Sequence, residues 1–222
     1  MFGVYVSVPV ACFRKGAARE YLETDPLPPP ATCYGFLLAL VGETDRRRHI
    51  GCRVASGLLA APAVSVVLRT VWRVKKPPLG APGNARPDYQ QLLTGGTKAA
   101  PFVELLLWLD SAGEPGGRLE DRVRAALAPP VGAAVTRFGG LSLGESSHLV
   151  DEVSPWDKVK DLYAGKSVRT FRVAPGGRFT FPVWVDHVGS AGTRYATGDL
   201  VDRPAAAAEP AAAELPVIRP DP

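Results

Sequence analysis

The chain has 222 residues, of which 46% are hydrophobic and 22% charged, and it carries a net charge of +4 with a pI of about 9.1. That is the make-up of a soluble globular protein, either one large domain or a compact domain with an appendage, long enough to bury a real core. It excludes a membrane-spanning helix, since no apolar run approaches the ~20 residues a span needs, and its mild basicity allows an anionic partner without requiring one.

Residues 2–13 read as a strand. Phe2, Val4, Val6, Val8 and Val10 alternate on one face. Residues 15–31 form a basic and then proline-rich loop, whose three consecutive prolines are expected to hold off any helix until they end. Thr32 then caps a helix over 33–41, with Cys33, Phe36, Leu37, Leu40 and Val41 on one face and Gly42 at its C-terminal end. Residues 49–55 are ambiguous. A long strand over 63–75 sets Val64, Val66, Leu68, Trp72 and Val74 on one face and Arg69, Arg73 and Lys75 on the other. Residues 77–100, rich in Pro, Gly, Ala and Gln, read as a long inserted loop or arm.

A third strand over 101–110 alternates Val103, Leu105, Leu107 and Leu109 with Phe102, Leu106 and Trp108, so it is expected to be covered on both sides. Leu119, Val123, Ala126 and Leu127 give a short helix over 118–127, stopped by Pro129 and Pro130. The glycine-rich run Arg137–Ser147 follows, and then a strand over 148–153. Beyond Pro155, the Pro175-Gly176-Gly177-Arg178 turn predicts a hairpin between Val168–Val173 and Phe179–Val185. From Arg203 onward Ala and Pro dominate, a composition expected to be flexible or to dock onto a partner. The order strand, helix, strand, arm, strand, helix, glycine-rich loop, strand is βαββαβ, an α+β fold of the ferredoxin-like, RNA-recognition type.

The three cysteines, Cys12, Cys33 and Cys52, match no zinc spacing. Their odd number, in a chain whose start lacks a basic leader, points to a reducing cytoplasm and to three buried thiols acting as small hydrophobes. No Gly-Lys-Ser/Thr follows the glycines at 139–144, so that loop is not a P-loop.

Four features in sequence carry a resemblance. The first strand runs into Ala11-Cys12-Phe13-Arg14, and Leu27-Pro28-Pro29-Pro30-Ala31-Thr32-Cys33-Tyr34-Gly35 opens the first helix. An arm lies at about 76–100, and Gly139–Ser146 follows the second helix. This layout resembles the CRISPR-associated Cas-five family of the RAMP superfamily, an RNA-binding subunit of the type I interference complex called Cascade. The likeness covers roughly residues 1–155 and is specific in Ala11–Gly42 and Gly139–Ser146. It implies a RAMP (RRM-like) domain over 1–154 with a thumb-like insertion at about 76–100, a β-rich C-terminal extension over 155–202, and a flexible tail over 203–222. It also implies a subunit that caps the complex by holding the 5′ handle of the crRNA, in antiviral defence. Its partners would be a backbone subunit of the Cas-seven family and a large subunit of the Cas-eight family, with target DNA met through the assembled complex. No cofactor, metal or membrane is implied.

On that reading the RNA-binding residues are Phe13, Arg14 and Lys15, one stacking ring and two cations at a strand end, with Tyr21 beside the basic loop. Arg69, Arg73 and Lys75 form a basic stripe into the arm. Arg137 supplies charge, Ser142 and Ser146 supply hydroxyls, and Gly139, Gly140 and Gly144 let the backbone approach a phosphate closely. Each also has a plainer reading, as a turn or a solvated sheet face. Trp72 and Trp108 read as core rather than as stacking platforms, and Tyr34 as packing. Some family members cut precursor RNA without metal, and Tyr21, His49 (after Arg46-Arg47-Arg48) and His148 are the residues here that such chemistry would draw on. The lysine–histidine pair is missing, so a non-enzymatic subunit is expected. A metal-independent endoribonuclease, and a free-standing RNA module or protein scaffold outside CRISPR, are the alternatives.

Overall fold

The computed structural model describes every residue except 17–20, 74–83, 133–134, 138, 208 and 221–222, and within strands it leaves aside the side chains of 70–73 and 84–87. The first predicted strand is divided. β1 (Phe2–Val8) ends at Pro9, which has no N–H for a ladder, and β2 (Val10–Ala11) joins a different sheet. After β3 (Tyr21–Leu22) comes α1 (Pro30–Leu40). The helix opens on the last proline of the run rather than on Thr32. Pro30 stands at its first turn, where a missing N–H costs nothing. Gly42, at φ +66°, ends it as expected.

The ambiguous stretch before residue 60 yields β4 (Arg53–Leu58). Within the arm, residues 84–94 form a strand. β5 (Ala63–Arg73) and β6 (Asn84–Thr94) pair antiparallel along their whole length, Ala63 opposite Thr94 and Arg73 opposite Asn84. A two-stranded ribbon, one strand of which was expected, therefore stands where a long loop or arm follows β5. β6 also pairs with β2 and, in parallel, with β3, which roots the ribbon beside the end of β1. The ribbon leaves the apolar face of β5 bare: Val64, Val66 and Leu68 are all more than half exposed.

β7 (Val103–Asp110), α2 (Leu119–Leu127) and β8 (Glu152–Pro155) follow as expected, β8 beginning a few residues later. Then come α3 (Trp156–Val159), β9 (Ser167–Val173), β10 (Phe179–Trp184) and β11 (Arg194–Pro204). The main sheet has the order β10-β11-β9-β4-β7-β1-β8 and is antiparallel throughout. Its β4-β7-β1-β8 segment is the βαββαβ order of a ferredoxin-like core. The predicted 168–185 hairpin does not form. The turn is present, with the Gly177 N–H donating to the Ala174 carbonyl at 3.1 Å. The two strands instead lie on either side of β11, which takes the ladder from both.

Both faces of the sheet are covered. One face, carrying Val4, Val6, Leu105 and Leu107, packs under α1 and α2 through Cys33, Leu37, Val123 and Leu127. The other, carrying Tyr5, Leu106 and Trp108, lies under Trp156, Tyr163, Ala205 and Leu215. The Ala/Pro-rich tail thus docks on its own chain. Ile218 exchanges backbone hydrogen bonds with Gly51 and Cys52 at 2.9 and 2.8 Å, and Val54 donates to the Pro216 carbonyl at 3.2 Å. This covers the part of the β4 edge that β9 leaves unpaired. Leu215 and Ile218 are the apolar residues that make the docking worthwhile, and both are buried. The three cysteines are buried and reduced, with burial pushing Cys33 up to about 12. Among the described residues, no helix is long and apolar enough to cross a membrane.

Candidate nucleic-acid interface

The covered back of the sheet decides where a ligand can go. In RNA-recognition domains, bases stack on the open sheet face. Here that face is roofed by α3 and the tail, which leaves the helix side as the candidate surface.

On that side α1 buries Cys33, Leu37 and Leu40 and turns Ala31, Gly35 and Ala39 outward, one small residue per turn. A Cβ placed on Gly35 would meet nothing within 4 Å. The glycine-rich loop forms the neighbouring wall, and it is tightly held. Leu143 is fully buried. The Leu143 N–H donates to the His148 carbonyl at 3.1 Å, and the Val150 N–H to the Leu141 carbonyl at 2.9 Å. Gly144, at φ +96°, lies so close to the first-strand segment that a Cβ there would sit 2.6 Å from the Cys12 carbonyl oxygen. His148 grips the same residue, its Nδ1 accepting the Cys12 N–H at 3.1 Å. The third wall is the end of β10, where Trp184, Val185 and His187 meet Arg46 from the α1–β4 connection.

These walls enclose a groove of about 420 Å³ bordered by Gly35, Gly140, Ser142, Gly144, Arg46 and Trp184. A second groove of about 420 Å³, bordered by Thr44, Thr136 and Arg137, shares Ala39 and Gly140 with it. The two grooves adjoin over α1 as one channel, which Arg46 borders in the first and Arg137 in the second.

The structure brings Arg137, Gly140, Ser142 and Gly144 together on this channel, with Gly139 and Ser146 exposed on the same loop. Arg14 and Lys15 are exposed beyond Cys12, where Arg14 bridges Thr24 and the Lys15 N–H bonds the Glu23 carbonyl. Tyr21 is exposed on β3, its hydroxyl accepting from Gln91 Nε2 at 3.2 Å. Arg69 points at the loop and pairs with Glu145 at 3.5 Å, fastening the ribbon's root to the glycine-rich segment. Phe13 is a correction. It is 1% exposed, inside the main core, and so cannot stack on a base. The side chain of Arg73 and all of Lys75, like the side chain of Trp72, lie outside the described residues, while Trp108 is buried as expected.

Arg46, Trp184 and His187 were missed. The sequence shows the Arg46-Arg47-Arg48 run ahead of His49, but nothing in it joins residue 46 to residue 184. The two histidines considered for catalysis are internal. His148 holds Cys12. His49 is fully buried, its Nδ1 2.6 Å from Glu114 and its Nε2 3.0 Å from Arg122.

Burial pushes the His148 ring below its ordinary value, opposed by Glu145 and aided by Arg69. Because the folded value lies below the unfolded ~6.5, the stability His148 contributes is present above that pH and is lost as pH falls through the folded value. The urea midpoint should therefore fall more steeply between pH 7 and 5 in the wild-type chain than in His148→Asn, whose amide stays neutral. Equal slopes would remove His148 as the acid-sensitive clasp of the loop.

The chain matches no protein-family profile. It is 51% identical over 207 residues to the CRISPR-associated protein Cas5 of Myxococcus xanthus (strain DK1622), covering 90% of each sequence. In fold it is similar to a chain of a CRISPR RNA-guided surveillance complex, at a TM-score of 0.57 and 16% identity over 90% of this chain and 89% of that one. A crystal structure of a Cas protein aligns over 91% of this chain and 93% of that one, at a TM-score of 0.47 and 14% identity.

Proposed function

This chain belongs to the CRISPR-associated Cas5 family, and from that premise we propose that it binds the 5′ handle of the crRNA and caps the backbone of a type I Cascade complex. The channel over α1 carries the proposal. It is open, floored by small residues, walled by the hydrogen-bonded glycine-rich loop, and bordered by Arg46 and Arg137. Such a surface suits a single strand that offers phosphates, 2′-hydroxyls and splayed bases. The roofed sheet argues against a free-standing RNA-recognition module.

The ribbon supplies the second contact. Val64, Val66, Leu68 and Tyr89 expose an apolar strip along it, of the kind that marks a protein interface. We assign it to the neighbouring backbone subunit of the Cas-seven family. The large subunit of the Cas-eight family would complete the cap and bring target DNA to the assembled complex, in the cytoplasm. Binding without cleavage is part of the proposal, because both histidines weighed for catalysis are spent on internal hydrogen bonds.

The test is to purify the tagged chain from its native cells and sequence the 5′ ends of the bound RNA. A uniform end inside a CRISPR repeat, with backbone subunits copurifying, is expected. Random RNA, or none, would sink the handle assignment.

A further inference from the structure

Arg46 is held in an unusual way for a loop arginine. Its Cζ lies 3.8 Å from the centroid of the Trp184 ring. Its Nη2 donates to the Val185 carbonyl at 2.6 Å, and its own carbonyl accepts the Tyr34 hydroxyl at 2.8 Å. Side chain and main chain are both anchored, so the guanidinium plane is set before any ligand arrives.

We propose that Arg46 is the stacking platform for one unstacked base of single-stranded RNA, a subsite that rests on the RNA-binding reading above. The indole offers no surface itself, since Trp184 is only 6% exposed and covered by the guanidinium. Arg46 is partly exposed, and it borders the groove across from Gly140, Ser142 and Gly144. One side of the cation therefore faces the ring, and its exposed part borders the groove. Part of its donor fork is occupied by Val185. The remaining N–H groups can still meet a phosphate of the strand, and the face toward the groove is what a flat aromatic ligand can take. Bases stack on guanidinium planes, and a platform ordered in advance loses little freedom on binding. The groove is within the ~300–1,000 Å³ range of sites that enclose small ligands.

The experiment measures binding of fluorescein-labelled, repeat-derived single-stranded RNA to the full chain by anisotropy, with each nucleotide made abasic in turn. The wild-type chain is expected to lose about tenfold in affinity at one position, the magnitude of one base stack. Arg46→Ala should lose about as much on intact RNA and become indifferent to that abasic site. Arg46→Lys keeps the charge and loses the plane, and should behave like Arg46→Ala. An Arg46→Lys chain that binds intact RNA like wild type, or a flat abasic profile in the wild-type chain, overturns the assignment. The wild-type scan needs no variant to fold. If the wild-type chain binds no RNA of any kind, the RNA reading fails with it. If it binds RNA with a flat profile, only the Arg46 subsite fails.

Discussion

Phe13→Ala lowers the unfolding free energy by about 3–5 kcal/mol, the range for deleting a buried aromatic ring. The ring is 1% exposed and belongs to the same core cluster as Leu143, the anchor of the glycine-rich loop. Its backbone is engaged on both sides. The Phe13 N–H donates to Thr24 Oγ1 at 2.9 Å, and its carbonyl accepts the Asp25 N–H at 2.7 Å. The segment therefore stays in place while the ring's volume is left empty, so the site cannot collapse to refill it. Urea denaturation of the purified chain measures the loss. RNA affinity falls only in step with the unfolded fraction, because the ring touches no ligand. Weakened RNA binding at an unchanged urea midpoint would return Phe13 to the surface as a stacking residue.

Glu114→Ala costs a similar amount, about 2–6 kcal/mol, because it strips the partner from two buried donors at roughly 1–3 kcal/mol each. The side chains of Glu114 and His49 are 0% and 1% exposed. Glu114 accepts from His49 Nδ1 at 2.6 Å and from the Leu119 N–H at 3.1 and 3.2 Å, which satisfies the first turn of α2. His49 Nε2 in turn accepts from Arg122 Nη1 at 3.0 Å. Arginine can only donate, so Nε2 is the acceptor and Nδ1 the donor. Arg122 also pairs with Glu43 and donates to the Val41 carbonyl at 3.1 Å, so one chain of bonds ties the end of α1 to α2. Removing the carboxylate leaves two buried donors without a partner. Glu114→Gln keeps an acceptor oxygen and should lose markedly less. If both variants shift the urea midpoint no more than a surface substitution, the network does not hold the two helices together.

The fold was legible where apolar spacing is local. β7 alternates on both faces, α2 shows its period of 3.6, and Gly42 ends α1. The ribbon was half legible. β5 could be read from its alternation, but β6, Asn84–Thr94, carries Pro87 and polar residues that suggest a loop. It is a strand because β5 supplies a full antiparallel partner. The 168–185 hairpin failed for a related reason. The turn chemistry was right, yet β11 competes for both edges, and a turn says nothing about a third strand arriving later in the chain. In the candidate site the glycine-rich loop was visible because glycine at φ +96° is a backbone requirement written into residue 144 itself. Arg46 on Trp184 was not, since it joins positions far apart in the chain.

By itself, then, the sequence determined the elements with a clear period, the order that makes the core βαββαβ, the glycine-rich loop and the family resemblance, because each depends on neighbours a few residues apart. Only the tertiary structure decided that Phe13 faces the core, that the tail roofs the sheet, that β11 separates β9 from β10, and that Arg46 sits over an indole. Those outcomes turn on which distant surface wins the burial of a side chain or the last free edge of a sheet, and that competition is settled only when the whole chain has folded.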